Sequence, residues 1–168
     1  MTDAPEASAG PGGDERPVRY LDVARPAAGR ASEVAPGVLW ARIPLPFKLD
    51  HVNVWLLEDE GGWTLIDTGI ADAVARDCWN ALLGEVLGGA PVVRVLVTHF
   101  HPDHIGSAPW LMERTGAELW MTRPEWLTAR LLAIDTGPEM LAHTLGFYAA
   151  AGSAPAHLDY VRARGAGY

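Results

Sequence analysis

The fold is decided by one ten-residue stretch, Thr98-His99-Phe100-His101-Pro102-Asp103-His104-Ile105-Gly106-Ser107, which follows a nearly continuous run of Val and Leu. His99 and His101 are two residues apart, and in extended backbone that spacing puts both imidazoles on one side, where they can face one ion. Pro102 then redirects the chain, so that Asp103 and His104 can face a second position. A single histidine would be read more simply as part of a polar loop. Four donors packed this closely indicate a metal site that suits Zn²⁺, with Fe or Mn less favoured.

Outward from this stretch, the apolar pattern predicts a mixed order of strands and helices. The run at 92–97 has the composition of a strand buried on both faces. Two of the preceding strands read as a hairpin through Gly61 and Gly62. An antiparallel beginning followed by helix-connected strands is an α+β or layered α/β arrangement. The predicted strands are 38–43, 52–57, 63–66, 92–97 and 117–121, and the predicted helices are 71–87, 107–115 (capped by Ser107) and two or three segments within 124–164.

The N-terminal region differs in composition from the rest of the chain. The first 37 residues hold five Gly, five Pro and eight Ala and few large apolar side chains. Such a segment buries too little apolar surface to offset the entropy of ordering it. We therefore expect residues 1–33 to form a disordered tail and residues 34–168 to fold as a single unit.

Charge and cysteine content exclude several classes of function. Thirteen Lys and Arg against twenty-one Asp and Glu give a formal charge of −8, which disfavours a surface for nucleic acid or anionic lipid. No apolar run approaches the roughly 20 residues that span a bilayer. The start of the chain lacks the pattern of a signal peptide, so a cytoplasmic protein is expected. The single cysteine, Cys78, excludes an internal disulfide and is expected to be a buried, inert thiol.

Two motifs together resemble those of a known family. His99-x-His101-x-Asp103-His104, followed by Gly106, resembles the metal-binding motif of the metallo-β-lactamase-fold hydrolases, and Ile66-Asp67-Thr68-Gly69 resembles that family's first motif. The resemblance is greatest to members like the hydroxyacylglutathione hydrolases, and it is clear over 38–121. It implies a layered αββα fold, of which this chain would be the N-terminal half, incomplete, with a helical insertion at 124–164.

The resemblance also implies a role for each motif residue. His99 and His101 would bind the first metal ion, and Asp103 and His104 the second, with two Zn²⁺ in a complete site. Asp67 would orient the stretch 98–107, which we call the metal loop, through hydrogen bonds without binding metal. A bound dication lowers the pKa of water toward about 7, which would supply hydroxide for hydrolysis. Asp103 would act as a catalytic residue that steers this nucleophile or moves a proton.

Part of the family's ligand set has no match in this chain. The family expects a third histidine, a bridging aspartate and a last histidine on later strands, and we expect these beyond Tyr168. His143 and His157 lie in predicted helices, where surface or capping positions are the simpler interpretation. His51 heads the second predicted strand and is a candidate for the mouth of the site. The chain is therefore expected to be a fragment that is inactive by itself.

The function predicted on this basis is metal-dependent hydrolysis of a small ester, thioester or lactone. One alternative is a phosphodiesterase or nuclease of the same fold, although the net charge weighs against it. Another is a catalytically silent metal-binding module. A small-molecule substrate is expected, with no nucleic-acid or membrane partner, and the sequence makes no prediction of oligomeric state.

Overall fold

The computed structural model of the protein describes residues 21–166, which form six strands and six α-helices. The strands are β1 (Ala31–Ala35), β2 (Val38–Pro44), β3 (His51–Asp59), β4 (Gly62–Ile66), β5 (Val92–Leu96) and β6 (Glu118–Trp120). The helices are α1 (Ala73–Ala81), α2 (Pro102–Ile105), α3 (Ala108–Thr115), α4 (Arg123–Ile134), α5 (Pro138–Ala150) and α6 (Pro155–Arg164). A π-helical turn, Leu82–Val86, continues α1.

The strands pair in chain order into one mixed sheet. The pairing is antiparallel from β1 through β4, and the predicted hairpin of β3 and β4 is confirmed. β4, β5 and β6 are parallel, joined by α1 and α3. The α+β class is thus confirmed. Because parallel strands end at the same edge of a sheet, the segments that follow β4 and β5 emerge side by side.

The hydrophobic core lies on the face of the sheet that α1 and α3 cover. Trp79 from α1 and Leu111 from α3 are fully buried there. Paired strand residues contribute the opposite wall, among them Ala41 with Val54 and Ile43 with Val52. Side chains on the other face of the sheet, such as the Trp40 and Trp55 pair, are only half-buried. Alternation along β2 and β3 therefore assigns one face to the core, as a period of two requires.

The predicted boundary of the N-terminal tail is wrong at its C-terminal end. Ala31–Ala35 is an edge strand paired with β2, so residues 31–33 belong to the sheet. Gly29 is also buried, and a Cβ at that position would lie 3.1 Å from the Cβ of Ala81. Small and polar residues dominate this strand, so composition did not reveal it. The tail residues 1–20 lie outside the described part of the chain.

Two predicted helices differ in detail from those of the structure. The segment 71–87 begins at Ala73, after Asp72 accepts a hydrogen bond from the Ala75 amide at 2.7 Å, and it widens into the π-helical turn after Ala81. Of the helices predicted within 124–164, the first is α4, which begins at Arg123 and leaves Leu131 and Ile134 55% and 66% accessible. Cys78 is buried as predicted. Within residues 21–166, no helix combines the length and apolar character needed to cross a membrane.

Candidate metal centre

Both sequence motifs lie where neighbouring parallel strands end. Asp67 follows β4, and its amide donates to the carbonyl of Leu96 at the end of β5, at 2.9 Å. Asp67 has a φ of 60° and Gly69 a φ of 81°, so the chain turns sharply here through left-handed backbone. Asp is one of the few residues that tolerate this conformation. The turn brings the Asp67 carboxylate against the segment that leaves β5.

Asp67 is only 5% exposed, and its carboxylate accepts hydrogen bonds from Thr98, just before the second motif, and from His104 within it. One oxygen accepts from the Thr98 amide at 2.9 Å, and the Thr98 hydroxyl lies 2.8 and 3.0 Å from the two oxygens. The other oxygen lies 2.8 Å from Nδ1 of His104. A buried carboxylate is stable only when it is partnered in this way. Asp67 therefore joins the two ends of the metal loop.

Backbone contacts hold α2 against the 67–70 turn. The Thr68 amide and hydroxyl both donate to the carbonyl of His104, at 2.9 and 2.7 Å. The Ser107 amide donates to the carbonyl of Gly69 at 3.0 Å, and the Ser107 hydroxyl donates to the carbonyl of Ile70 at 2.7 Å. Ser107 precedes α3 as predicted, but its side chain makes no bond to the helix it was expected to cap. The short helix α2 lies between β5 and α3, in a stretch for which no helix was predicted.

His99 and His101 direct ring nitrogens at each other. Nε2 of His99 lies 2.9 Å from Nδ1 of His101, and Nδ1 of His99 lies 2.9 Å from the Thr98 hydroxyl. The burial of His99 lowers the pKa of its imidazole, and the neighbouring His104 and His101 rings lower it further. A lower pKa favours the neutral ring, which is the form that binds a metal ion.

Asp103 and His104 form a second pair beside the first. Nε2 of His104 lies 3.5 Å from an Asp103 carboxylate oxygen, and both side chains are about one fifth exposed. The rings of His99 and His104 have their centroids 3.9 Å apart, so the two pairs are adjacent. Since Nδ1 of His104 faces Asp67, its Nε2 is the nitrogen available to an ion.

The imidazole nitrogens and the carboxylate of this cluster are of the types that bind metal ions, and they lie in two pairs. Two nitrogen ligands of a tetrahedral zinc, each about 2.0–2.1 Å from the ion, are about 3.3 Å apart, so the 2.9 Å between His99 and His101 needs only a small adjustment. Within residues 21–166, no group of three or more His, Cys, Asp or Glu side chains is already arranged to hold an ion. Each pair therefore needs further ligands to complete a coordination sphere.

The other histidines have different surroundings. His143 is exposed on α5, and the ring of His157 packs against Tyr148 and Tyr160. His51, at the start of β3, contacts Asp50 and lies 2.7 Å from an Arg42 nitrogen. The structure thus brings together Asp67, His99, His101, Asp103 and His104, whose ligand and positioning roles remain predictions. Sequence reasoning missed Thr98, although its place between a buried strand and His99 was a usable signal.

Comparison with known proteins defines the class. Residues 48–161 match the family described as the Metallo-beta-lactamase superfamily, and the chain belongs to this superfamily. A crystal structure of a Beta-lactamase domain protein from Burkholderia ambifaria is 49% identical, with a TM-score of 0.64, over 67% of this chain and 38% of that chain. A metallo-beta-lactamase family protein from Thermus thermophilus is 27% identical, with a TM-score of 0.59, over 77% of this chain and 43% of that chain.

Within the superfamily, the chain is similar to curated hydroxyacylglutathione hydrolases. The chain is 30% identical over 105 residues to the hydroxyacylglutathione hydrolase of Albidiferax ferrireducens, covering 62% of this chain and 38% of that protein. It is 32% identical over 117 residues to the hydroxyacylglutathione hydrolase of Pseudomonas putida (strain W619), covering 61% and 43%. The chain therefore spans about two fifths of the length of the curated relatives it matches.

Close packing at Gly106 generates a testable prediction about the metal loop. A Cβ at this position would lie 2.4 Å from the Pro102 carbonyl oxygen and 2.8 Å from the Ala71 amide nitrogen. We expect Gly106→Ala to destabilise the fold by about 1–3 kcal/mol, because backbone on two sides must move. Gly146→Ala on α5 is the control, since a Cβ there has open space, and it should be stabilising by up to about 1 kcal/mol. Urea unfolding measures both, and equal stability of the two variants would contradict the packing described.

Proposed function

We propose that this chain supplies the first part of the metal centre of a hydrolase that acts on small esters, thioesters or lactones. One observation carries the proposal: two pairs of side chains that can bind metal lie side by side, just after the parallel strand β5. The buried carboxylate of Asp67 bonds His104, a member of the second pair. Superfamily membership supports hydrolysis as the class of reaction. The chain spans about two fifths of the length of its curated relatives, and these two pairs would be part of a larger ligand set.

His99 and His101 would hold one ion, and Asp103 and His104 a second. Three imidazoles and one carboxylate suit Zn²⁺ better than harder ions such as Mg²⁺ or Ca²⁺, with Fe or Mn as further possibilities. When bound, such ions lower the pKa of water and polarise a carbonyl group. Asp67 would keep the proton of His104 on Nδ1, so that Nε2 stays directed at the ion.

Asp103 would act on the attacking water. Its carboxylate is about one fifth exposed and lies beside Nε2 of His104. In this position a carboxylate oxygen can accept a hydrogen bond from the water, orient it toward the substrate carbonyl and take up its proton as the new bond forms. The same oxygen can return the proton to the leaving alkoxide or thiolate.

A thioester of glutathione is the substrate class that the curated relatives suggest, since both are hydroxyacylglutathione hydrolases. Glutathione and its thioesters belong to the reducing cytoplasm, where we also place this activity. The net charge of −8 disfavours a polyanionic substrate such as nucleic acid.

A pair of histidine variants tests the metal site. We expect His101→Ala to weaken Zn²⁺ binding at least tenfold, because it removes one of the two nitrogens that face each other at 2.9 Å. His143→Ala removes an exposed helical imidazole instead and should leave the affinity unchanged. Competition with a chromogenic chelator measures both affinities. Zn²⁺ binding that survives His101→Ala unchanged would exclude the proposed site.

The reaction class needs a protein that holds the complete ligand set. We expect the full product of the gene to hydrolyse thioesters when loaded with Zn²⁺, and to lose this activity when the metal is removed by a chelator. Lactone, β-lactam and phosphodiester substrates assayed in parallel separate the alternatives. Faster turnover of the phosphodiester would favour a phosphodiesterase, and metal binding without turnover of any substrate would indicate a silent module.

A further inference from the structure

The metal loop has a contact from outside both motifs. Glu125, in the first turn of α4, is half-buried, and its carboxylate accepts a hydrogen bond from the Phe100 amide at 2.9 Å. Phe100 stands between His99 and His101 in the sequence, and its ring packs against His101 with centroids 4.6 Å apart. The bond thus joins α4 to the residue between the two paired imidazoles.

Glu125 has a local alternative that it does not use. It lies three residues after Thr122, the residue that precedes α4, and this spacing is that of a capping box. In a capping box the Thr side chain bonds the Glu amide and the Glu side chain bonds the Thr amide. Here the Thr122 side chain makes no capping bond, and the Glu125 carboxylate is bonded to Phe100 instead. The contact with the metal loop is therefore not a by-product of helix capping.

The bond constrains the backbone that carries both imidazoles. The Phe100 amide belongs to the peptide unit that joins His99 to Phe100, so holding its direction constrains the backbone between His99 and His101. The 2.9 Å contact between Nε2 of His99 and Nδ1 of His101 depends on the backbone on either side of this peptide unit. The carboxylate also adds a negative charge close to the pair, which favours a cation there.

We propose that Glu125 is a positioning residue, which holds the His99 and His101 pair in the geometry that binds the first metal ion. The inference rests on the proposed function of that pair. It extends the centre beyond the two sequence motifs to α4, and it makes the placement of this helix a determinant of metal affinity.

Four proteins test this inference by direct Zn²⁺ binding, with a chromogenic chelator as competitor. Relative to wild type, we expect Glu125→Ala to weaken binding about 10- to 100-fold, as the loss of outer-sphere partners does in metal sites. Glu125→Gln keeps an acceptor oxygen but loses the charge, and it should weaken binding about three- to tenfold. Glu139→Ala is the matched control, since Glu139 is an exposed acidic residue in the first turn of α5. It should leave the affinity unchanged.

A second measurement reports on the hydrogen bond without metal. Amide hydrogen exchange of Phe100 in the metal-free proteins should be accelerated by Glu125→Ala, retained near the wild-type rate by Glu125→Gln and unaffected by Glu139→Ala. If Glu125→Ala folds poorly, the Phe100 exchange rate can still be compared between the wild-type protein and Glu125→Gln.

The outcomes separate this inference from the proposed function. Wild-type protein that binds no Zn²⁺ would overturn both. Wild-type binding with an unchanged affinity in Glu125→Ala would overturn the role of Glu125 and leave the metal site standing. An equal loss of affinity in Glu139→Ala would also overturn it, because the effect would then belong to helix charge in general.

Discussion

The carboxylate of Asp67 is the constraint on which the rest of the site depends. It is buried at the end of β4, and burial obliges it to find donors. It finds them in Thr98, at the exit of β5, and in His104, on α2. Thr98 and His104, which are 31 and 37 residues from Asp67 in the sequence, are thereby held at the same carboxylate. The left-handed turn at Asp67 is what directs the carboxylate toward these donors.

The sheet supplies the geometry that this carboxylate uses. Parallel pairing of β4 with β5 brings the two motifs to the same edge, and the buried face of the sheet packs against the hydrophobic core beside it. Trp79 is part of this support, since it is fully buried and its indole nitrogen donates to the Thr68 carbonyl at 2.6 Å. Packing from α1 therefore reaches the turn that carries Asp67. Stability and site geometry are coupled through the same few residues.

Local patterns predicted most of this architecture, and long-range contacts account for what they missed. The alternation in β3 and the apolar run of β5 were sufficient for the strands and the hairpin, because burial of a sheet face leaves a periodic signal. β1 leaves little signal, since it is a small and polar edge strand held by pairing with β2. At the site, the motif residues were recognisable by spacing. The bond from Glu125 to Phe100 spans 25 residues and depends on where α4 packs, which no local pattern records.

The central claim is that Asp67 orients His104, and the tautomer of His104 tests it most directly. Because the Asp67 carboxylate can only accept at 2.8 Å, the neutral ring must carry its proton on Nδ1 and leave Nε2 bare. Long-range proton–nitrogen correlation spectra of the metal-free protein distinguish the two nitrogens. We predict that the neutral ring of His104 shows a protonated Nδ1 and an unprotonated Nε2. A proton on Nε2 with a bare Nδ1 would contradict this account of the site.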